Sequence, residues 1–525
     1  MKEPLKPPDA DLPSHPRQFN AMMLHYGAYL RHNATPIISP CCDPKHWRAA
    51  TVVKHDSRTP HTPCLSDRPA PRWARRLCLL ASLSLLGSNL AACSGGRSLK
   101  HHLFGHTTPA AKTNTGIVVA DEPQAALIGR DVLARGGNAA DAATATAFAL
   151  SVTLPSRASL GGGGACLVSR PGQPAESISF LPVDGTGPSG DRPATVPMVA
   201  RGLFLLNLRY GSVQLGDTID PAITLGQQGI TVSRQLAEDI AAVQGPLLSN
   251  EGMKSLFSKG DSEVAVREGD QLTQPRLTSF LSRLKLVGVG DLYTGALSDV
   301  FVTQANKAGA ALTRDDLRRS LPGETSALHF TSGPYQLNFL APPADGGLGS
   351  AVAFRQNLRA ENVVSAWRRT GRTTLQEGQI FMASGQSDAT GLPPLPASTS
   401  FVVRDGRGLS VACTLTENNL FGTGRLAGNT GVILAGSSRY YPRPLLSAAI
   451  LDAPHKRMQA VLAASGQNDA AQAVADALRQ LTQGQDIPAA TGTGQLNSII
   501  CSGNACTGRA APNGKGLSAQ TTTAR

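Results

Sequence analysis

Apolar and polar positions fall into a regular order only from Gly116 onward. Ile117 to Ala120 is a short apolar, β-branched run, which predicts a strand. A helical period follows from about Pro123, where proline suits the first turn, and stops at Gly136-Gly137. Asn138 and Asp141 are spaced as a capping pair for a second helix from Ala139, whose small face of Ala, Leu and Phe favours close packing. From 195 to about 330, helical periods such as VARGLFLLNLRYG and ALTRDDLRRSL alternate with turns and read as scaffold. Further on, Phe401 to Val403 predicts a strand, the polar run Arg404 to Gly408 a turn, and Leu409 to Thr416 a second strand, which together make a hairpin. Residues 1–71, rich in Pro, His and Arg, keep no apolar period and are assigned no fold.

Directly before that hairpin stand three hydroxyl residues, Ser398, Thr399 and Ser400. Such triplets are usually solvated loop. At the start of a strand they have a chemical use: if the preceding peptide bond is cut, one residue carries both a hydroxyl nucleophile and a free amine that takes its proton. The glycine run Gly161 to Gly164 does not fit a phosphate cradle, because the following Ala165-Cys166-Leu167-Val168 reads as strand, not as the start of a helix. Close backbone approach is the better reading.

The stretch from Ser398 through Phe421-Gly422-Thr423-Gly424 resembles the start of the small subunit of the γ-glutamyltranspeptidases, which are N-terminal nucleophile hydrolases. Counted back from Phe421 without a gap, Ser398 falls on the family's nucleophilic threonine, Thr399 on the next threonine and Ser400 on the usual histidine. Asp405, Gly408, Thr416 and Asn418 also match. The resemblance implies cleavage between Ala397 and Ser398, with Thr416 holding the nucleophile's hydroxyl and Asn418 gripping the substrate's amino-acid end. A register shift of one residue would make Thr399 the nucleophile. The likeness also covers Gly136 to Ala143 and the proline and glycine segment Ala341 to Gly347, and runs from Gly116 to Gly516. It implies an α+β fold, the four-layer αββα sandwich of the N-terminal nucleophile hydrolases. Residues 116–397 would be large-subunit-like and 398–525 small-subunit-like, with Leu392 to Pro396 a linker brought up to the cleavage point.

Several family positions have changed. Phe180 is followed by Leu181, where the family has the arginine that clasps the substrate's α-carboxylate. AGSSRYY replaces the loop whose aspartate holds the α-amino group, and that aspartate's place falls near Tyr440. Of two family serines only Ser447 remains, and the glycine pair that stabilises the oxyanion aligns with Gln467 and Asn468, whose backbone N–H groups would have to serve. A pocket that has lost both charge partners loses its preference for glutamate with them.

Charge and cysteine usage bear on where the chain works. Residues 1–92 hold 12 Lys+Arg and 6 Asp+Glu, half of the formal +12, and no aromatic-interleaved basic motif marks a nucleic-acid reader. Arg72 to Arg76, the apolar Leu77 to Gly87 and Leu90-Ala91-Ala92-Cys93 make a secretory signal over 72–93. Its end resembles a bacterial lipobox, implying lipid attachment at Cys93 and export to the periplasmic face of the cell envelope; an ordinary signal with an incidental cysteine is the other reading. Residues 94–115 read as a linker. Cys501 and Cys506 flank a short turn and suit a disulfide better than a metal pair, while Cys166 and Cys413, inside apolar strands, are expected to be inert core residues. No metal or organic cofactor is implied. Three readings stand: a self-cleaving amidohydrolase or acyltransferase acting on small amide or peptide substrates, a lipid-anchored pseudoenzyme that binds or scaffolds, and an unrelated secreted binding protein.

Overall fold

In the computed structural model, which describes residues 115–521 apart from 189, 261, 489, 504, 513 and 514, the run Gly116–Ala120 becomes an inner strand of a seven-stranded antiparallel sheet. The expected secretory signal over 72–93, with Cys93 at its end, lies outside the described residues. The sheet runs, in spatial order, Leu517–Gln520, Gly116–Ala120, Ser398–Asp405, Ser410–Thr416, Gly163–Ser169, Glu176–Phe180 and Gly323–Ser326. Its side chains alternate between two apolar environments, as the pleat requires. Ile117, Val119, Leu167, Val402 and Ala412 pack against Ala448, Ile450, Val461 and Ala463 of a second sheet. Val118, Ala120, Phe401, Val403 and Val411 instead face a helical layer.

That second sheet is ordered Ala490–Thr491, Gly494–Ser502, Met458–Ser465, Ser447–Ala453, Tyr335–Phe339 and Leu328–Ser332, with Ala505–Arg509 also paired to Gly494–Ser502. Leu348, Val352, Val474 and Leu478, from helices Gly346–Gln356 and Ala470–Thr482, cover its outer face with Ala449 and Leu451. Helices Pro123–Ala134 and Ala139–Thr153 cover the outer face of the first sheet. The result is the four-layer αββα sandwich. Each fully buried phenylalanine, such as Phe148, Phe180 and Phe401, contributes about 1.5–3 kcal/mol by leaving water.

Local signals hold where they were read. Asn138 accepts from the N–H groups of Ala140 and Asp141, and Asp141 returns a bond to the Asn138 N–H at 2.8 Å, a capping box. Every residue of that helix is buried, and its small face lets Gly129 sit against Thr146. The glycine run makes the close approach expected of it: a Cβ on Gly162 would lie 2.2 Å from Thr416 O, and one on Gly164 2.3 Å from Thr414 O.

One expectation is corrected. Cys166 and Cys413 are not separate thiols but a disulfide, because the strand register sets them directly opposite on the helix-facing side. Cys501 and Cys506 are also joined, across the hairpin of Gly494–Ser502 and Ala505–Arg509. Among the described residues no helix is long and apolar enough to cross a membrane.

Candidate active site

Ser398 opens the strand Ser398–Asp405, and its register partner is Thr416, the last residue of the strand Ser410–Thr416. Asp405 closes the hairpin that sets this pairing. Its Oδ1 accepts from the N–H groups of Arg407 and Leu409 at 2.9 and 3.2 Å, and its Oδ2 accepts from Ala139 N–H at 3.2 Å. Gly408 supplies the left-handed φ of +91° that the turn requires. By alternation Ser398 and Ser400 share the face of Val402, between the sheets, whereas Thr399 shares the face of Phe401, toward the helices.

Around Ser398 the partners are specific. Its Oγ donates to Gly466 O at 3.4 Å, and the residue is fully buried. Thr416 Oγ1 accepts from Asn418 N–H at 3.0 Å, which leaves its own O–H as a donor. Asn418 sits at φ +58° and its side-chain amide donates to Gly436 O at 2.9 Å, while its Oδ1 is buried without a partner among the described residues. Thr399 Oγ1 donates to Asp121 Oδ2 at 3.1 Å. That carboxylate also accepts from Ser400 N–H at 2.8 Å and from Asn497 Nδ2 at 2.6 Å, and Asn497 Nδ2 reaches Ser400 Oγ at 2.9 Å.

Four groups here escaped the sequence reading. Asp121 and Asn497 buttress the strand behind Ser398 from 376 residues apart. Arg157 Nη1 donates to Ser398 O at 3.3 Å, while its Nε and Nη2 grip both oxygens of Asp239 at 2.7 and 2.8 Å. Burial alone would push that guanidinium toward neutrality, but the bonds and charge of Asp239 outweigh it and raise its pKa. Glu417, next to Thr416, is fully buried with neither carboxyl oxygen bonded among the described residues. Burial drives its pKa well above the usual carboxylate range. Only the arginine had a local signal, a charge set just before a glycine run.

The segment entering Ser398 is held from the other side. Asn468 accepts from Leu395 N–H at 2.9 Å and donates to the carbonyls of Leu392 and Pro393 at 3.3 and 3.2 Å, while Glu361 accepts from Leu392 N–H at 3.0 Å and from Asn468 at 2.9 Å. Leu395 is buried with Leu445 and Ala471. The side chain of Asn468 thus clamps the linker, and Gln467 beside it is exposed. Ser447 Oγ lies 2.7 Å from Ser350 Oγ, on the outer helical side of the second sheet. Leu181 packs against the core between the sheets, and Tyr440 is 68 % exposed. The replaced loop is held instead by Asp184, which accepts from Ser438 N–H and Oγ at 2.8 and 2.6 Å. Among the described residues no group of three His, Cys, Asp or Glu could hold a metal ion.

A hydroxyl residue at the first position of an inner strand, between two sheets, with a second hydroxyl as its register partner, is an arrangement for acyl transfer through an N-terminal nucleophile. Known proteins resemble the chain in sequence and in fold. The family model for gamma-glutamyltranspeptidase matches residues 125–377. The glutathione hydrolase proenzyme of Escherichia coli (strain K12) is 26% identical over 426 residues, 69% of this chain and 73% of that protein. The acylase ACY 1 proenzyme of Pseudomonas sp. (strain SE83) is 26% identical over 414 residues, 66% of this chain and 73% of its own length. Among solved structures, a cephalosporin acylase from Bacillus halodurans superposes with a TM-score of 0.57 at 16% identity, over 81% of this chain and 99% of that one.

Proposed function

Because the chain is a divergent member of the γ-glutamyltranspeptidase family, we propose that it is a self-cleaving amidohydrolase or acyltransferase of the γ-glutamyl type whose glutamate recognition is altered or lost. The observation that carries this reading is the placement of Ser398 at the head of its strand, opposite Thr416. In the maturation step Ser398 Oγ attacks the Ala397 carbonyl, the Ala397–Ser398 C–N bond breaks, and the resulting ester is hydrolysed by water. This leaves the Ala397 carboxylate and a free Ser398 amine. The chain is then a large fragment ending at Ala397 and a small one beginning at Ser398.

In turnover the Ser398 amine takes the hydroxyl proton as Oγ attacks a donor amide, and the leaving amine departs with a proton. Water or an acceptor amine then takes the acyl group from Ser398. Thr416 O–H orients Oγ, Asn418 holds the donor's amino-acid end, and the backbone N–H groups of Gln467 and Asn468 face the oxyanion once the linker has left. Ser447 acts indirectly, through Ser350. Glutathione hydrolase and acylase relatives both support amide donors. Leu181 and the exposed Tyr440 support a donor other than an unmodified γ-glutamyl group. Export, with a lipid anchor at Cys93, completes the reading.

Loss of both clamp residues also favours a second reading, a pseudoenzyme that keeps the fold for binding. A panel of p-nitroanilides carrying γ-glutamyl, other acidic and neutral acyl groups separates the two. The proposal expects Ser398-dependent release from some neutral or differently charged donors, with γ-glutamyl no better than these. Release confined to γ-glutamyl would refute altered recognition, and release from none after cleavage would favour the pseudoenzyme.

A further inference from the structure

The first sheet interleaves strands from both sides of residue 397: Gly116–Ala120 lies between Leu517–Gln520 and Ser398–Asp405, and Ser410–Thr416 lies against Gly163–Ser169. The last of these junctions carries the Cys166–Cys413 disulfide, whose two residues are 247 apart in sequence and stand on opposite sides of the Ala397–Ser398 bond. We propose that this disulfide is an inter-fragment bond, so that the cut enzyme is a single covalent molecule of two chains. The inference rests on the self-cleavage reading.

Three observations carry it. The two cysteines are direct register partners in adjacent antiparallel strands, Cys413 with Cys166, three pairs from Thr416 with Gly163. Both are fully buried, so neither is open to exchange with an outside thiol in the folded state. The other disulfide among the described residues, Cys501–Cys506, lies wholly within the small fragment and cannot join the pieces. Formation of the bond removes one proton and one electron from each thiol, and the two electrons pass to a disulfide oxidant of the exporting compartment, itself reduced to a dithiol. Hydrolysis at Ala397–Ser398 touches neither sulfur. The link fixes the second strand of the nucleophile hairpin to the strand that follows the glycine run. It also makes unfolding of the cut protein unimolecular, so its midpoint would not move with concentration.

The test uses the full chain, purified from an oxidising compartment and blocked with N-ethylmaleimide before denaturation. With reductant the denatured sample should give two fragments. Without reductant it should give one species, heavier than the uncut chain by one water, and a Cys413→Ser chain should separate without reductant. A second arm does not depend on self-cleavage. A protease site inserted between Ala389 and Thr390, both exposed, is cut in a Ser398→Ala background, and the product should again stay together until reduced. Separation of the pieces without reductant in either arm overturns the inference. An uncut wild type whose protease-cut variant stays linked would refute self-cleavage and leave the bond standing. If Cys413→Ser does not fold, peptide mapping of unreduced wild type decides, and absence of a peptide pair joining Cys166 to Cys413 overturns the inference.

Discussion

Ser398 and Thr399 are neighbours in sequence and opposites in the sheet. Ser398 faces the space between the sheets, while the Thr399 hydroxyl is bonded to Asp121. Thr399→Val should therefore still cut before Ser398, at a cost of about 1 kcal/mol for the lost bond; Edman sequencing of the small fragment checks it, and failure of the variant to cut would make Thr399 the nucleophile. Glu417 gives a pH prediction. Above the usual carboxylate range the unfolded chain releases this proton and the folded chain keeps it, so stability falls as pH rises, by up to about 1.4 kcal/mol per unit, until the raised folded value is passed. Glu417→Gln should flatten the decline in urea midpoint as pH rises above the usual carboxylate range; an unchanged slope would contradict a protonated Glu417. Arg157→Ala strips Asp239 of its charge partner in the interior and should cost about 3–5 kcal/mol. Arg157→Met with Asp239→Leu should recover most of it, as read from denaturant midpoints.

At the scale of elements, the active strands depend on a backbone approach that only glycine allows. A Cβ on Gly163 would stand 2.3 Å from Phe180 O and 2.7 Å from Pro182 N, both backbone atoms. Gly163→Ala must spread those strands, so it should cost about 1–3 kcal/mol and slow the appearance of the Ser398 terminus; wild-type kinetics on a denaturing gel would count against that strain. Elements set by neighbours in the chain were legible in the sequence. The Asn138–Asp141 capping box, the hairpin turn and the strand after the glycine run each follow from residues a few positions apart. What sequence could not reveal is what register brings together. Arg157 meets Asp239 across 82 positions, Asp121 meets Asn497 across 376, and Cys166 meets Cys413 across 247. The apolar strand setting misled for the cysteines, since such a position says that a thiol is buried but not what stands opposite it.

For the whole molecule, the two-sheet sandwich explains why cleavage need not unmake the fold. Pieces on either side of Ala397 share the first sheet at three junctions and the second at one, so breaking a single peptide bond leaves the layers intact. The αββα layering was legible because the likeness ran from Gly116 to Gly516, whereas the substrate pocket was not. There the familiar charges are gone and side chains such as Ser447 and Asn468 are committed to Ser350 and to the linker. The central claim is that Ser398 cuts its own chain to become an N-terminal nucleophile. Intact mass and N-terminal sequencing of the purified full chain, beside Ser398→Ala, test it most directly. The account predicts a wild type in two fragments with Ser398 first in the smaller and a mutant that stays whole; a wild type that stays whole after long incubation, or a mutant that still splits after Ala397, contradicts it.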